Sequence, residues 1–317
     1  MKQSNRNSCV NFSGICLLMI FLCTVNNFAQ NQVKIVEKKI SPKNSATFNQ
    51  NKSRLGKYKI RQVIFPYKIG ETIVKIVVSK TSSASSKFVY FNMHDNENTA
   101  VEAAKDIIGR FGGTLVEMQH GGERLVKLSL KENQFTFDPN RIFTAVGIEK
   151  TLKSDTSQTN EMTGEAKKFA ENLEKYLKAA KLIIAVHNNT DGNYSIESYT
   201  PGGEFENDAK LANINSKSDI DDFFFVTENG FYKTLKAKNQ NVVLQDNEKV
   251  TDDGSLAVYC ARKKISYVNV ESEHGHLTEQ TKMLEILQDL IKNFIRPKNK
   301  KPRKRFGAIE RKGWTFK

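Results

Sequence analysis

Three residues of types that bind zinc lie where the sequence pattern can bring them together. His94 and Glu97 are three residues apart, between the short apolar run 87–92 and a helical pattern. His187 directly follows the continuous apolar run 182–186. Both runs are typical of buried strands, and ligands in α/β folds bind beyond the carboxyl ends of such strands. Two imidazoles and one carboxylate can bind zinc and leave a fourth position free for water, so the pattern predicts a hydrolytic zinc site.

Two further segments carry groups that a zinc-dependent hydrolase needs. Asn140 and Arg141 lie in a predicted loop after the strand 124–130, and a guanidinium can clamp a terminal carboxylate bidentately. Glu271 ends a predicted strand that begins at residue 266, where it could take a proton from water and pass it to a leaving amine.

The segment that follows Glu271 leaves an alternative open. If the strand continues, Glu273 shares a face with Glu271 and could be the catalytic acid instead. His274 and His276 could then line the pocket, or form another metal site with Glu273. Residues 252–255 are interpreted as a turn and helix N-cap, with a loop that flanks the pocket as the alternative.

The order of these motifs resembles that of a known superfamily. The motifs are His94-x-x-Glu97, Asn140-Arg141, His187 and Glu271. This series is similar to that of the zinc carboxypeptidase superfamily, which includes the metallocarboxypeptidases and the aspartoacylase/succinylglutamate desuccinylase branch. The short spacings, 46 residues from His94 to Asn140 and 93 to His187, are closer to the deacylase branch.

The resemblance implies a role for each matched position. It implies that His94, Glu97 and His187 bind zinc. Asn140 and Arg141 would bind the substrate carboxylate, and Glu271 would be the general base and acid.

Two positions extend or depart from the superfamily pattern. Arg124 lies where the carboxypeptidases have an arginine that stabilises the oxyanion, so the resemblance implies a catalytic role for it. The acid that often precedes the second histidine by two positions is Ala185 here. An orienting partner for His187 is therefore missing or supplied from elsewhere.

The alternation of apolar runs and helical patterns predicts the fold class. We expect an α/β three-layer sandwich, with a mostly parallel mixed sheet covered by helices on both faces. Strands are predicted at 58–65 and 72–79, joined by a turn at 66–70. Helices are predicted at 98–111, 165–179, 255–263 and 277–294. The predicted domain spans residues 57–295.

The N-terminal part of the chain contains two segments that are predicted to lie outside the domain. Residues 1–30 combine two basic residues, an apolar stretch and a polar cleavage region, which predicts a signal peptide and export to the periplasm or the exterior. An uncleaved anchor is the alternative. Residues 31–56 are predicted to be a polar linker. The mature chain would retain one cysteine, Cys260, and no internal disulfide.

The formal charge of +14 is concentrated in the basic tail, residues 296–317. The tail holds ten Lys or Arg residues and one Glu, a net charge of +9. The tail is interpreted either as a solvated, disordered segment or as a contact for an anionic surface, and nucleic acid is not expected in an exported protein. The overall prediction is an exported zinc hydrolase acting on a peptide or N-acyl amino acid. The alternative is a non-catalytic zinc- and peptide-binding protein on the same fold.

Overall fold

The computed structural model describes residues 34–38, 60–81, 87–154 and 156–295. The predicted signal peptide and the basic tail lie outside the described residues, as does most of the predicted linker. Within that linker, residues 34–38 form a strand that pairs antiparallel with residues 60–64. This part of the segment therefore belongs to the sheet.

The strands of the described residues form two sheets. In chain order the strands are β1 (Lys34–Lys38), β2 (Ile60–Ile69), β3 (Thr72–Lys80), β4 (Phe88–Asn92), β5 (Thr114–Gln119), β6 (Val126–Leu130), β7 (Asn133–Phe137), β8 (Lys153–Ser154), β9 (Leu182–Asn189), β10 (Ala209–Asn213), β11 (Phe223–Val226), β12 (Val242–Gln245) and β13 (Ser266–Glu273). Ten form a mixed sheet in the order β1-β2-β3-β5-β4-β9-β13-β11-β12-β10, and β6-β7-β8 form a small sheet.

Parallel pairing is concentrated at the centre of the large sheet. The neighbours β5, β4, β9 and β13 run parallel, as do β11 and β12. The remaining pairings are antiparallel and lie towards the two edges. The carboxyl ends of three adjacent central strands, β4, β9 and β13, therefore meet at one edge.

Helices cover both faces of this sheet. They are α1 (Asn98–Phe111), α2 (Ala145–Thr151), α3 (Asn160–Leu177), α4 (Asn229–Ala237), α5 (Leu256–Lys263) and α6 (Leu277–Ile295). Side chains of a strand alternate between the faces. Thus Ile184 packs with α1, α4 and α6, whereas its neighbours Ile183 and Ala185 pack with α2, α3 and α5. The predicted three-layer α/β sandwich is confirmed.

The predicted turn at residues 66–70 is wrong. Strand β2 continues through Pro66 to Ile69. Proline is tolerated there because β1 pairs only as far as Ile64, so no described residue needs the missing amide on that side. The chain reverses at Gly70, where φ is +56° and a Cβ would lie 2.4 Å from the Ser129 carbonyl oxygen.

The other elements differ from the predicted ones mainly in the residues at which they begin and end. Helix α1 has the predicted bounds. Strands β9 and β13 run about three residues beyond their predicted ends, into the candidate site. Sequence patterns did not predict β7, α2, α4 or β10, which are short. None of the helices in the described ranges has the length and hydropathy needed to span a bilayer.

Candidate active site

The three predicted zinc ligands meet at the carboxyl edge of the central strands. His94 lies two residues after β4, and Glu97 is the N-cap residue of α1. His187 lies within β9, next to Glu271 of β13 in the parallel register. All three predicted ligands are buried, with 1–3% of each residue exposed.

The Glu97 carboxylate lies between the two imidazoles. Its Oε1 is 2.7 Å from His94 Nδ1, and its Oε2 is 2.8 Å from His187 Nδ1. One ligand atom from each of the three residues lies within 4.8 Å of the other two. The donor atoms that the sequence predicts to be ligands therefore converge on one point.

Two neighbouring side chains hold this arrangement in place. Asp138 Oδ1 is 2.9 Å from His94 Nε2, which leaves Nδ1 of that ring directed at the site. Asn92 donates from Nδ2 to Glu97 Oε2 at 3.2 Å and to the Val186 carbonyl at 3.1 Å. The second bond ties the end of β4 to β9.

The pKa values of the cluster reflect mutual stabilisation of opposite charges. Burial by itself would raise the pKa of Glu97, but the two histidines lower it to about 2. Burial would lower the pKa of His94, but the charge of Glu97 and the bonds to Asp138 and Glu97 raise it to about 9. A buried carboxylate in this position calls for a cationic partner, which can be a proton on histidine or a metal ion.

The donor set fits zinc. Both Nδ1 atoms and both carboxylate oxygens face inward, and nitrogen and oxygen donors of these types are common zinc ligands. The Nε2 atom of His187 is buried and has no hydrogen-bond partner among the described residues. No described residue therefore supplies His187 with the carboxylate that is missing at position 185. His94 does have such a partner, Asp138.

Arg124 lies at the cleft wall, in the loop before β6. Its guanidinium donates to Glu97 Oε1 at 3.2 Å and to Asp138 Oδ2 at 3.4 Å. The side chain is 48% exposed, so part of it faces solvent in the cleft. The structure thus brings Arg124 to the predicted ligands.

Asn140 and Arg141 form the end of a short 3₁₀ helix, Pro139–Arg141. Asn140 accepts a bond from the Leu256 amide, which fixes this helix to the start of α5. Arg141 donates from Nη1 to the Asn140 carbonyl, and its Nε lies 3.5 Å from Asp253. Burial would lower the pKa of Arg141, but Asp253 and Asp138 raise it, so the guanidinium is charged.

Glu271 points into the same cleft and is 6% exposed. Its Oε1 accepts from Asn269 Nδ2 at 2.8 Å. Burial raises the pKa of Glu271, and the charge of Glu97 raises it further against the opposing effects of His187 and Asn269. Glu273, the alternative acid, is not among the described residues that line the cleft.

The cleft has a volume of about 430 Å³ and two kinds of wall. The predicted zinc ligands, Arg124, Arg141 and Glu271 form the polar wall. The aromatic wall is formed by Tyr194, Tyr199, Phe205, Phe225 and Tyr267. Tyr194 and Tyr199 are hydrogen-bonded to each other through their hydroxyl groups.

Sequence patterns missed the supporting residues of the site. Asp138 has a signal in the sequence, since it lies two residues before Asn140 at the end of an alternating strand pattern. Asp253 lies in the motif 252–255 and lines the cleft, in agreement with the alternative interpretation of that motif. Asn92 has no such signal, because its contacts depend on how distant elements pack. The predicted turn and N-cap at 252–255 is confirmed, since Ser255 accepts from the Val258 amide.

Comparison with known proteins gives structural similarity only. No protein-family model matches the sequence, and no curated protein matches it. A succinylglutamate desuccinylase from Silicibacter sp. is 12% identical with a TM-score of 0.40, covering 82% of this chain and 71% of that one. A succinylglutamate desuccinylase/aspartoacylase from Rhodobacter sphaeroides is 12% identical with a TM-score of 0.39, covering 80% and 68%.

Murein-tripeptide amidase MpaA from Escherichia coli O157 is also 12% identical, with a TM-score of 0.36, covering 71% of this chain and 88% of the amidase. Two of the three carry the names succinylglutamate desuccinylase or aspartoacylase, and the third is an amidase.

Proposed function

We propose that this protein is a zinc-dependent hydrolase that cleaves an amide bond next to a free carboxylate, in a peptide or an N-acyl amino acid. One observation carries the proposal. Two histidines and a glutamate converge at the floor of a cleft that also contains a buried glutamate and a charged arginine. This combination provides metal ligands, a proton carrier and a carboxylate-binding group within one cavity.

The residues divide the chemistry between them. His94, Glu97 and His187 would hold zinc, which when bound activates water and polarises a carbonyl group. Glu271 takes a proton from the attacking water and delivers it to the leaving amine. Its raised pKa suits both steps, because a carboxyl group with a pKa nearer neutrality both accepts and donates protons readily.

The two arginines act on different parts of the substrate. Arg141 is held by Asp253 and the Asn140 carbonyl, and its fork can still bind a carboxylate that enters the cleft. Arg124 supplies positive charge beside Glu97, where it can stabilise an oxyanion. The aromatic wall favours a substrate with an apolar or aromatic group near the carboxylate.

One observation favours a non-catalytic alternative. Among the described residues, His187 lacks the second partner that normally orients a metal-bound histidine, since none of them contacts its Nε2. A site of this kind could bind zinc and a peptide without turnover.

Hydrolysis by the zinc-loaded protein tests the proposal. We expect release of a free amino acid from N-acyl amino acids and short peptides, but little from the same compounds with the carboxylate converted to an amide. Arg141→Ala should raise KM about 10- to 100-fold for the acids, as expected for a lost charged hydrogen bond, and hardly for the amides. Arg141→Lys is the matched control, because it keeps the charge without the fork.

Zinc content measured in parallel separates the two candidates. The wild-type chain should bind zinc, and His94→Ala and His187→Ala should each weaken that binding. Bound zinc without turnover of any substrate would favour the non-catalytic alternative. No zinc bound by His94 and His187 would contradict both.

A further inference from the structure

A second group of metal-ligating side chains lies beside the cleft and outside it. Asp219, Glu273 and His276 each offer one ligand atom, and these atoms lie within 4.8 Å of one another. His276 Nε2 is 3.2 Å from Glu273 Oε2. Glu273 ends β13, His276 directly precedes α6, and Asp219 lies in the loop between β10 and β11.

Unpaired polar atoms surround this group. Asp221 is 3% exposed, and its Oδ1 atom has no hydrogen-bond partner among the described residues. Its other oxygen accepts only a long bond of 3.4 Å from the Gly192 amide. His276 Nδ1 and Asn189 Oδ1 are also buried atoms without partners in the described ranges. Asn189 faces Glu273 in the register of β9 and β13.

The local charge is negative and poorly compensated. Burial raises the pKa of Asp221, and the charges of Asp219, Asp191 and Glu273 raise it further. Burial also raises the pKa of Asp222, partly offset by a bond from Ser272. Among the described residues that act on these two carboxylates, His276 is the one basic side chain. A buried carboxylate oxygen without a donor, amid several acids, is an environment that favours a cation.

We infer that Asp219, Glu273 and His276 form a second binding site for a divalent transition-metal cation, beside the buried carboxylate of Asp221, on which the charges of Asp219 and Glu273 act. The imidazole nitrogen favours zinc over calcium and magnesium, which prefer an all-oxygen set. The site is separate from the catalytic cluster, because it shares no ligand with His94, Glu97 and His187.

A cation here would join three segments of the chain. It would tie the loop that carries Asp219 to the end of β13 and to the start of α6. That loop also contacts the rim of the cleft, since the Asp221 carbonyl accepts from Asn189 and the Ile220 carbonyl accepts from the Ile196 amide. The cation therefore stabilises the rim that carries Tyr194 and Tyr199.

Metal counting on the full chain tests this inference. Metal-free protein is loaded with zinc, excess zinc is removed, and bound zinc is measured by mass spectrometry. We expect about two zinc ions per wild-type chain and about one in Asp219→Asn/His276→Gln, a variant that removes two ligands with little change in shape. His274→Ala is the matched control, because His274 is an exposed neighbour outside the group, and should retain two.

The count also separates this site from the proposed catalytic one. His94→Ala/His187→Ala should lose the other zinc ion, so that combining both pairs of substitutions leaves none. One zinc per wild-type chain that is lost with Asp219→Asn/His276→Gln would support the second site and contradict the first. A wild-type count that is unchanged in Asp219→Asn/His276→Gln would overturn the inference.

Proteolysis provides a measurement that does not depend on the variant Asp219→Asn/His276→Gln. In the His94→Ala/His187→Ala background, added zinc should slow cleavage of the loop 214–222 several-fold, since only the second site remains. An unchanged cleavage rate with zinc would count against the inference.

Discussion

Glu97 is the residue on which the site depends. It is 2% exposed and makes contacts with both histidines, with Asn92 and with Arg124. A carboxylate buried this far is costly unless it is paired, and removing its partners would leave an uncompensated charge. The four donors explain why Glu97 remains ionised at the floor of the cleft. The same carboxylate is the natural place for a cation.

Glu271→Gln should separate metal binding from turnover. The amide keeps the shape of the side chain and can still contact Asn269, so zinc content should be unchanged. It cannot accept a proton, so kcat should fall by about 100-fold or more. Glu273→Gln is the comparison, and it should retain a higher turnover than Glu271→Gln. The reverse order would assign the acid/base role to Glu273.

His94 should make the metal-free chain sensitive to pH. Its folded pKa of about 9 lies above the usual value of 6.5, because of Glu97 and Asp138. A raised pKa contributes stability that is fully present below about 6.5 and is lost as the pH rises through about 9. The free energy of unfolding of the metal-free chain should therefore fall across this window.

Zinc binding should show the opposite trend over the same range. Zinc requires the neutral imidazole, so its affinity should rise as His94 loses its proton. Denaturant unfolding and zinc titration at several pH values measure the two effects. His94→Gln should flatten the stability curve, and a slope that persists in that variant would show that another group is responsible.

At the scale of elements, the site depends on the start of α1. Glu97 is the N-cap residue, but its side chain faces the histidines and does not cap the helix. Asn188 of β9 accepts from the Ala100 amide instead, at 2.9 Å. This bond frees Glu97 for the site and fixes the first turn of α1 to the strand that carries His187.

Asp95 anchors the loop that leads to Arg124. Its Oδ2 accepts from the backbone amides of His120, Gly121 and Gly122, at 2.5 to 2.8 Å. Asp95→Ala should release this loop, lower stability by about 1–3 kcal/mol and reduce kcat through the misplaced arginine. Asp95→Asn is the control, because its carbonyl oxygen can still accept these bonds. Unchanged kcat in Asp95→Ala would show that Arg124 is positioned by Glu97 and Asp138 alone.

Local patterns predicted the elements that place the main site residues. The apolar runs of β4 and β9 and the helical period of α1 were sufficient to place His94 and Glu97 between β4 and α1, and His187 directly after the apolar run 182–186. The contacts of Asn92 and Asp138 could not be predicted, because they join segments that are far apart in the chain. Short elements such as α4 lack enough residues to show a period, so sequence alone did not reveal them.

At the scale of the whole molecule, function is concentrated on one side of the sheet. Tyr267, Asn269 and Glu271 alternate along β13 towards the face covered by α2, α3 and α5, where the cleft lies. The opposite face, under α1, α4 and α6, forms an apolar core. The rigid centre of the sheet can therefore hold the predicted metal ligands, while the loops around the cleft determine which substrate binds.

Residues 1–30 carry the predicted signal peptide. We propose that residues 1–30 direct export, which is consistent with a substrate found outside the cytoplasm, such as a peptide. Expression of the full chain with fractionation of the cells would test this. Recovery of the protein in the cytoplasmic fraction only, at full length, would contradict export.

The basic tail, residues 296–317, should bind anionic surfaces. Its net charge of +9 is interspersed with Trp314 and Phe316, and a Lys or Arg near an anionic membrane contributes about 1 kcal/mol. Binding to vesicles with anionic headgroups should therefore be strong at low salt and fall steeply as salt is added.

A chain that ends at residue 295 should bind weakly, with unchanged turnover of a small substrate. Trp314→Ala/Phe316→Ala keeps the charge and should retain most of the salt-sensitive binding. Equal binding by the full and shortened chains would show that the tail does not hold the enzyme to a surface.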